Sequence, residues 1–310
     1  MSEAEFREIA KRVSNWGRWG PDDERGTLNL ITPEVVKRAT GCVRRGRVFT
    51  LGLPFGADGP QPGVGLRFNP MHYMSAIGQS IGGGSLACCY SDDIVHMPLQ
   101  CATQWDALAH VHYEGQLYNG FRADEVLNAS GASRGGIDKA AVDGIVSRGV
   151  LLDVARQLGV ERLAADVVIE PADLDAAARA ARIEPGPGDI LLVRTGHICV
   201  FTEDRNCQSF ADASPGLGMA CAEWLRERDI AAVCADNVAV EPLPGAVPGV
   251  PIPLHMLCIR DMGMMFGEML DLEALARDCA EDGVYEFLFA APPLAVTRGI
   301  GSPINPVAVK

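Results

Sequence analysis

A single α/β domain is the fold class that the sequence predicts, and three observations carry it. Continuously apolar runs alternate with helical stretches after residue 145, the pattern of strands buried on both faces of a parallel sheet. No internal repeat, linker or low-complexity block divides the 310 residues. The composition, 48% hydrophobic against 22% charged, suits a chain that buries a sizeable core.

The elements follow in order. "TPEVVKRA" (32–39) reads as a helix start, with Thr32 as N-cap and Pro33 at the first helical position, where its missing N–H costs nothing. "GRVFTLGLP" reads as a strand ended by Pro54. A glycine-rich loop, "IGQSIGGGS", separates it from the apolar "LACCY". The loop lacks the Gly-x4-Gly-Lys spacing that cradles phosphate. "GVLLDV" (149–154) is a buried strand, and "PADLDAAARAAR" (171–182) is a helix opening on proline. "GDILLVRTG" (188–196) is a strand, "PGLGMACAEWLRERD" (215–229) a helix, and "IAAVCAD" (230–236) a strand.

Several function classes are excluded at this stage. A net charge of −13 disfavours a nucleic-acid or anionic-membrane surface. The opening "MSEAEFREIAKRV" is charged and amphipathic, unlike a signal peptide, and no apolar run is long enough to span a bilayer, so a cytoplasmic location is expected. Ten cysteines without a Cys-x-x-Cys pair are expected to be reduced thiols rather than disulfides or a structural zinc site.

The chemistry concentrates in "QCATQWDALAHVHY" (100–113). On a helix Gln100 and Gln104 would share a face and Asp106 would point away. On an extended segment positions 100, 102, 104 and 106 share one face. Pro98, Thr103 and Trp105 favour the extended reading. His110 would then overhang Gln100, Gln104 and Asp106 from a following turn. An imidazole whose ordinary pKa is near 6.5 suits proton transfer at neutral pH. His112 is expected to be structural, Cys101 a buried thiol on the opposite face, and Asp92 and Asp93 loop acids. Met71, His72 and Tyr73 are candidates for a pocket wall.

This run resembles the signature of the cyclase family that includes bacterial kynurenine formamidase and isatin hydrolase. The family pattern His-x-Gly-Thr-His-x-Asp-x3-His reads here as Gln100, Ala102, Thr103, Gln104, Asp106 and His110 in the same register. "WGRWGPDDERGTLNLITPE" (16–34), "DNVAVE" (236–241), "LHMLCIRDMGMMFGEMLDLEAL" (254–275) and "GSPINPVAV" (301–309) extend the resemblance over nearly the whole chain. The resemblance implies one layered α/β domain over 1–310, with a mixed, partly closed β-sheet and an N-terminal extension at roughly 1–45. It also implies a homodimer or homotetramer acting on a small molecule, with the first two histidines and the aspartate of the motif binding metal and the last histidine serving as acid–base. His255 and Glu268 are the downstream metal ligands it implies.

The departures are as informative as the match. Two imidazoles are replaced by Gln100 and Gln104, whose neutral amides are poor ligands for Zn²⁺. Asp106, His255 and Glu268, with Gln104 assisting, form a set for one Mn²⁺ or Zn²⁺ rather than two, and a site without metal is the other reading. The expected activity is hydrolysis of a C–N or C–O bond in a small cyclic or aryl amide, lactam or ester. In it His110 and Asp106 are catalytic, and Gln100, Gln104 and Trp105 bind substrate. One alternative is a metal-independent cyclase, dehydratase or lyase in which Gln100 and Gln104 donate hydrogen bonds to an oxyanion. The other is a non-catalytic binding protein.

Overall fold

The computed structural model describes residues 2–63 and 65–310. The strands that matter for function are β1 (Val48–Thr50), β2 (Met71–Ile81), β3 (Cys88–His96), β4 (Gln104–Asp106), β5 (Val146–Asp153), β6 (Ile190–Arg194), β7 (Ala232–Ala235), β8 (Met265–Glu268), β9 (Glu286–Ala290), β10 (Gly301–Pro303) and β11 (Val307–Val309). Nine of them form one sheet in the order β1-β11-β9-β5-β6-β7-β8-β4-β10, which curls into a half barrel. Its centre, β5-β6-β7-β8, is parallel, and every flanking pair is antiparallel. The sheet is therefore mixed, as the family resemblance implied.

The central strands carry continuous apolar runs, Val150–Leu152, Ile190–Val193 and Ala232–Ala235, because both faces are covered. Val150, Leu152, Leu191 and Val193 point into one core, and Leu151, Leu192, Ile190 and Cys234 into the other. The first core is closed by the helices α1 (Glu3–Val13), α3 (Pro171–Ala181) and α4 (Cys221–Glu227), which contribute Phe6, Ile9, Leu174 and Leu225. The second is closed by α5 (Glu273–Asp282) through Leu275 and Cys279, and by Trp105, Phe287 and Phe289. Residues 2–45 are built into the body: α1 buries Phe6, Ile9 and Val13, and Trp16 Nε1 donates to the Arg260 carbonyl at 2.9 Å. The helix α2 (Pro33–Thr40) starts as expected, with Thr32 Oγ1 accepting from Val35 N at 3.4 Å.

Two local expectations are corrected. The helix expected over 215–229 is confined to Cys221–Glu227, because Gly216–Leu217 pair in parallel with Val168–Ile169. A Cβ at Gly216 would lie 2.5 Å from the Val240 carbonyl oxygen, so the glycine serves a close backbone approach rather than a helical turn. The glycine-rich segment, with Asp92 and Asp93, is not a plain loop. It belongs to an antiparallel hairpin of β2 and β3, in which Asp93 meets His72 Nε2 at 2.7 Å. Met71, His72 and Tyr73 lie on that hairpin, exposed to solvent. All ten cysteines are free thiols. Among the described residues no helix is long and apolar enough to cross a membrane.

Candidate active site

Strand β4 sits between β8 and β10, and its register sets Gln104 opposite Glu268 and Asp106 opposite Phe266. Alternation along β4 sends Gln104 and Asp106 to one face and Trp105 to the other. The approach to β4 is pinned by Thr103, whose hydroxyl donates to the Met269 carbonyl at 2.6 Å and accepts from Leu53 N at 2.8 Å. His255 arrives from a different element, a short helical turn opened by Pro253 and continued as a wide helical coil to Met262.

Asp106, His255 and Glu268 converge, with one potential ligand atom from each lying within 4.8 Å of the others. All three are buried, as is Gln104. Gln104 Nε2 donates to Glu268 Oε2 at 2.8 Å and lies 3.4 Å from Asp106 Oδ1. His255 Nε2 is 3.3 Å from Glu268 Oε1, and its ring stands edge-on to Phe266 at 4.8 Å. His110 completes the group from the turn after β4: its Nε2 is 3.7 Å from Asp106 Oδ2, beyond hydrogen-bond reach, and its side chain is 21% exposed. That residual exposure makes His110 the solvent-facing wall of an otherwise closed site.

Glu241 was not singled out from the sequence, yet it organises the site. Its Oε1 accepts from both His255 N at 2.8 Å and His255 Nδ1 at 2.5 Å, while Oε2 accepts from Leu254 N at 3.0 Å. The imidazole is thereby oriented with Nε2 toward Glu268 and Asp106, the arrangement by which carboxylates orient metal-binding histidines. The only advance signal was its place at the end of "DNVAVE". The backbone is constrained at both carboxylates. Val240, just before Glu241, and Met269, just after Glu268, hold positive φ values of 58° and 56°. A β-branched residue in that region is uncommon, and such outliers cluster at functional sites.

The electrostatics follow from crowding charge into a dry place. Burial raises the Glu268 carboxyl above its ordinary range, and the Asp106 charge pushes the same way, against the opposing pull of His255. Burial disfavours the His255 imidazolium, but its hydrogen bonds to Glu241 and Glu268 outweigh that and raise it overall. Burial lowers His110, against the attraction of Asp106 and with help from His255 and the Arg67 guanidinium, so His110 is held as the neutral base. Arg67, also unremarked in the sequence, pulls Glu268 down as well.

A divalent cation fits the residues present. Asp106 Oδ2 and Gln104 Oε1 are buried without a hydrogen-bond partner, two acceptors in one place with nothing to accept from. Two carboxylates and one imidazole are suitable donors for Mn²⁺ or Zn²⁺. The other nominated residues lie elsewhere. Trp105 is turned into the second core, fully buried, with Nε1 donating to the Ala291 carbonyl at 2.7 Å, so it is not placed to touch a substrate. Gln100 lies in a turn before β4, its amide against the backbone of Gly301, where a Cβ would meet Gln100 Nε2 at 2.5 Å. The extended run expected over 100–106 is thus a strand only from Gln104, because the turn at 99–103 redirects the chain. Cys101 is buried, and burial raises its thiol pKa, as suits an inert core cysteine.

Comparison with known proteins places this arrangement among relatives. Residues 34–242 match the family model described as "Putative cyclase". A crystal structure described as a novel cyclase is 36% identical, with a TM-score of 0.88 over 97% of this chain and 99% of that one. Isatin hydrolase A from Labrenzia aggregata, bound to benzyl benzoate, is 20% identical, with a TM-score of 0.62 over 87% of this chain and 94% of its own. A predicted metal-dependent hydrolase from Bacillus stearothermophilus is 16% identical, with a TM-score of 0.51 over 84% and 97%. No curated protein matches the chain.

Proposed function

Starting from the fact that this chain belongs to the cyclase family, we propose that it is a hydrolase acting on a C–N or C–O bond of a small cyclic or aryl amide, lactam or ester. One observation carries the reading: the buried Asp106–His255–Glu268 cluster with two unpartnered oxygens beside it. The fold it shares with isatin hydrolase A and with a predicted metal-dependent hydrolase supports the reaction class.

In this reading Asp106, His255 and Glu268 hold a single Mn²⁺ or Zn²⁺, assisted by Gln104 through Oε1. The ion supplies Lewis acidity that polarises a carbonyl and acidifies a water. The rest belongs to the chain. His110, neutral and at the open side, takes the proton from the attacking water at Nε2 and returns it to the departing nitrogen or oxygen. Glu241 keeps the His255 ring aimed, and the Gln104 amide keeps Glu268 in place. Burial of the carboxylates excludes bulk water and strengthens every charge interaction at the reacting centre.

A second reading rests on its own observation: His255 is already bracketed by Glu241 and Glu268, so its imidazole has partners without a cation. In that case His110 and Asp106 carry acid–base work in a metal-independent cyclase, dehydratase or lyase. Elemental analysis of the purified protein, followed by an amide, lactam and ester panel before and after exhaustive chelation, separates the two. About one equivalent of Mn or Zn, with turnover lost on chelation and restored by the ion, supports the hydrolase. Turnover that survives chelation and disappears in His110→Ala favours the metal-free reading. Tight binding with no turnover on the panel defeats both.

A further inference from the structure

We propose that Arg67 binds a carboxylate that the substrate carries apart from the bond to be cut, a specificity for acidic substrates that deepens the hydrolase reading above and rests on it. Most arginines of this chain pair with a carboxylate, and carboxylates are plentiful, at 40 Asp and Glu against 27 Lys and Arg. Arg67 does not. Among the described residues its side chain forms no ion pair and no hydrogen bond, although the residue is half-buried. The other arginines without an ion pair, Arg179, Arg182, Arg205, Arg277 and Arg298, are all exposed to water. A guanidinium carries five N–H donors, and one drawn partly out of water with no protein acceptor is poised for a ligand.

The segment that carries Arg67 is fastened beside the active site. Gln61 Nε2 donates to the carbonyl of Cys101, in the turn that leads into β4, at 2.8 Å. Gln61 N donates to Asn69 Oδ1 at 2.9 Å, and Asn69 Nδ2 donates to the Gln61 carbonyl at 3.0 Å, so the two sides of the segment are tied to each other. Phe68 stacks on His96, the last residue of β3, with 5.4 Å between ring centres. Arg67 is thus held against the stretch from His96 to Cys101 while its own side chain stays unengaged. Its charge is felt at His110, Glu268 and Cys101, which bound the site and its approach. A guanidinium offers a planar pair of donors that a carboxylate matches with two hydrogen bonds. With Asp106 and Glu268 nearby, one positive charge suits a monoanion better than a phosphate, which draws on several donors and meets stronger repulsion. An arginine serving only the acid that hydrolysis releases would treat charged and neutral substrates alike, which gives the test its contrast.

Steady-state turnover of acetamidobenzoates and acetoxybenzoates, with acetanilide and phenyl acetate as their neutral counterparts, tests this in the wild type, Arg67→Met and Arg67→Lys. The wild type is expected to prefer a carboxylated isomer, measured as its kcat/KM relative to that of the neutral counterpart. Arg67→Met should reduce that ratio by about 10–100-fold, chiefly through KM. Arg67→Lys, which keeps the charge without the planar fork, should reduce it less. Calorimetric titration of the purified protein with benzoate and benzamide needs no turnover: in Arg67→Met benzoate should weaken by about 10-fold or more relative to benzamide. A benzoate preference that depends on Arg67, with no panel member turned over, sinks the hydrolase reading and leaves the carboxylate site standing. A wild type that treats acid and neutral ligands alike in both measurements, or an Arg67→Met protein that keeps the preference, overturns the proposal.

Discussion

Two β regions of this molecule use similar side chains to opposite ends. The central strands β5 to β8 and the hairpin β2–β3 are both rich in β-branched, aromatic and sulfur-bearing residues, yet the former lie almost wholly inside and the latter almost wholly outside. β-propensity is a preference for a pleated surface that something else covers, and it does not say what the cover is. In the body the cover is helices from the same chain, and the surplus of order carries a site of buried charge. In the hairpin no such cover is supplied among the described residues, and the same kinds of side chain stand in solvent.

Substitutions sharpen that contrast, beginning with the largest effect. His110→Ala should lower kcat by about 10²–10⁴-fold while leaving the fold intact, as expected for loss of an acid–base group, read from steady-state turnover beside circular dichroism. Phe287→Ala, in the fully buried core, should cost about 3–5 kcal/mol in urea unfolding. Ile77→Ala, at an exposed position of the hairpin, should stay within about 0.5 kcal/mol. A comparable cost at both sites would erase the distinction between body and hairpin.

The pH dependence probes buried charge away from the metal cluster. Asp236 accepts from Thr195 N, Thr195 Oγ1 and Gly196 N, but its burial outweighs those bonds and raises its pKa to about 6. Because the folded value exceeds the unfolded one, its contribution to stability is fully present below about pH 4 and is lost as pH rises through 6, by roughly 2–3 kcal/mol. Denaturant titrations from pH 4 to 7 should show this slope in the wild type, and Asp236→Asn should flatten it. Glu241→Gln should weaken Mn²⁺ or Zn²⁺ binding by about 10–100-fold in calorimetry, the usual effect of losing a partner that orients a ligating histidine. Trp105→Phe should cost about 1 kcal/mol through its lost bond to Ala291, with KM unchanged. A raised KM would return Trp105 to the substrate pocket.

What could be read from the chain follows the same division. The strands at 149–154, 188–196 and 230–236 were legible because continuous apolar runs bounded by turns carry their own signal. Asp106, His110, His255 and Glu268 were nominated through motif spacing, and the fold brings them together. Glu241 was not visible, since a glutamate 14 residues before His255 says nothing of a helical turn that returns the ring to it. Trp105 adjoins the site residues in sequence, but alternation along β4 turns its ring into the second core, away from Gln104 and Asp106. The hairpin was missed because three glycines in a row read as a loop. What they provide is the tight reversal between two long strands, and pairing across that reversal is a long-range fact that local composition does not state.

The position of the carboxylates on β4 and β8 has a mechanical side. Asp106 and Glu268 stand on neighbouring strands whose residues are some 160 positions apart in the chain, near one edge of the sheet, where only β10 lies beyond. Whatever bridges them acts as a rivet across that seam: a ligand bound only by the closed seam adds RT ln(1 + [L]/Kd) to its stability. Amide exchange in residues 104–106 and 265–268 is then a gauge of occupancy, slowing when the rivet is in and quickening when it is drawn, with no substrate required.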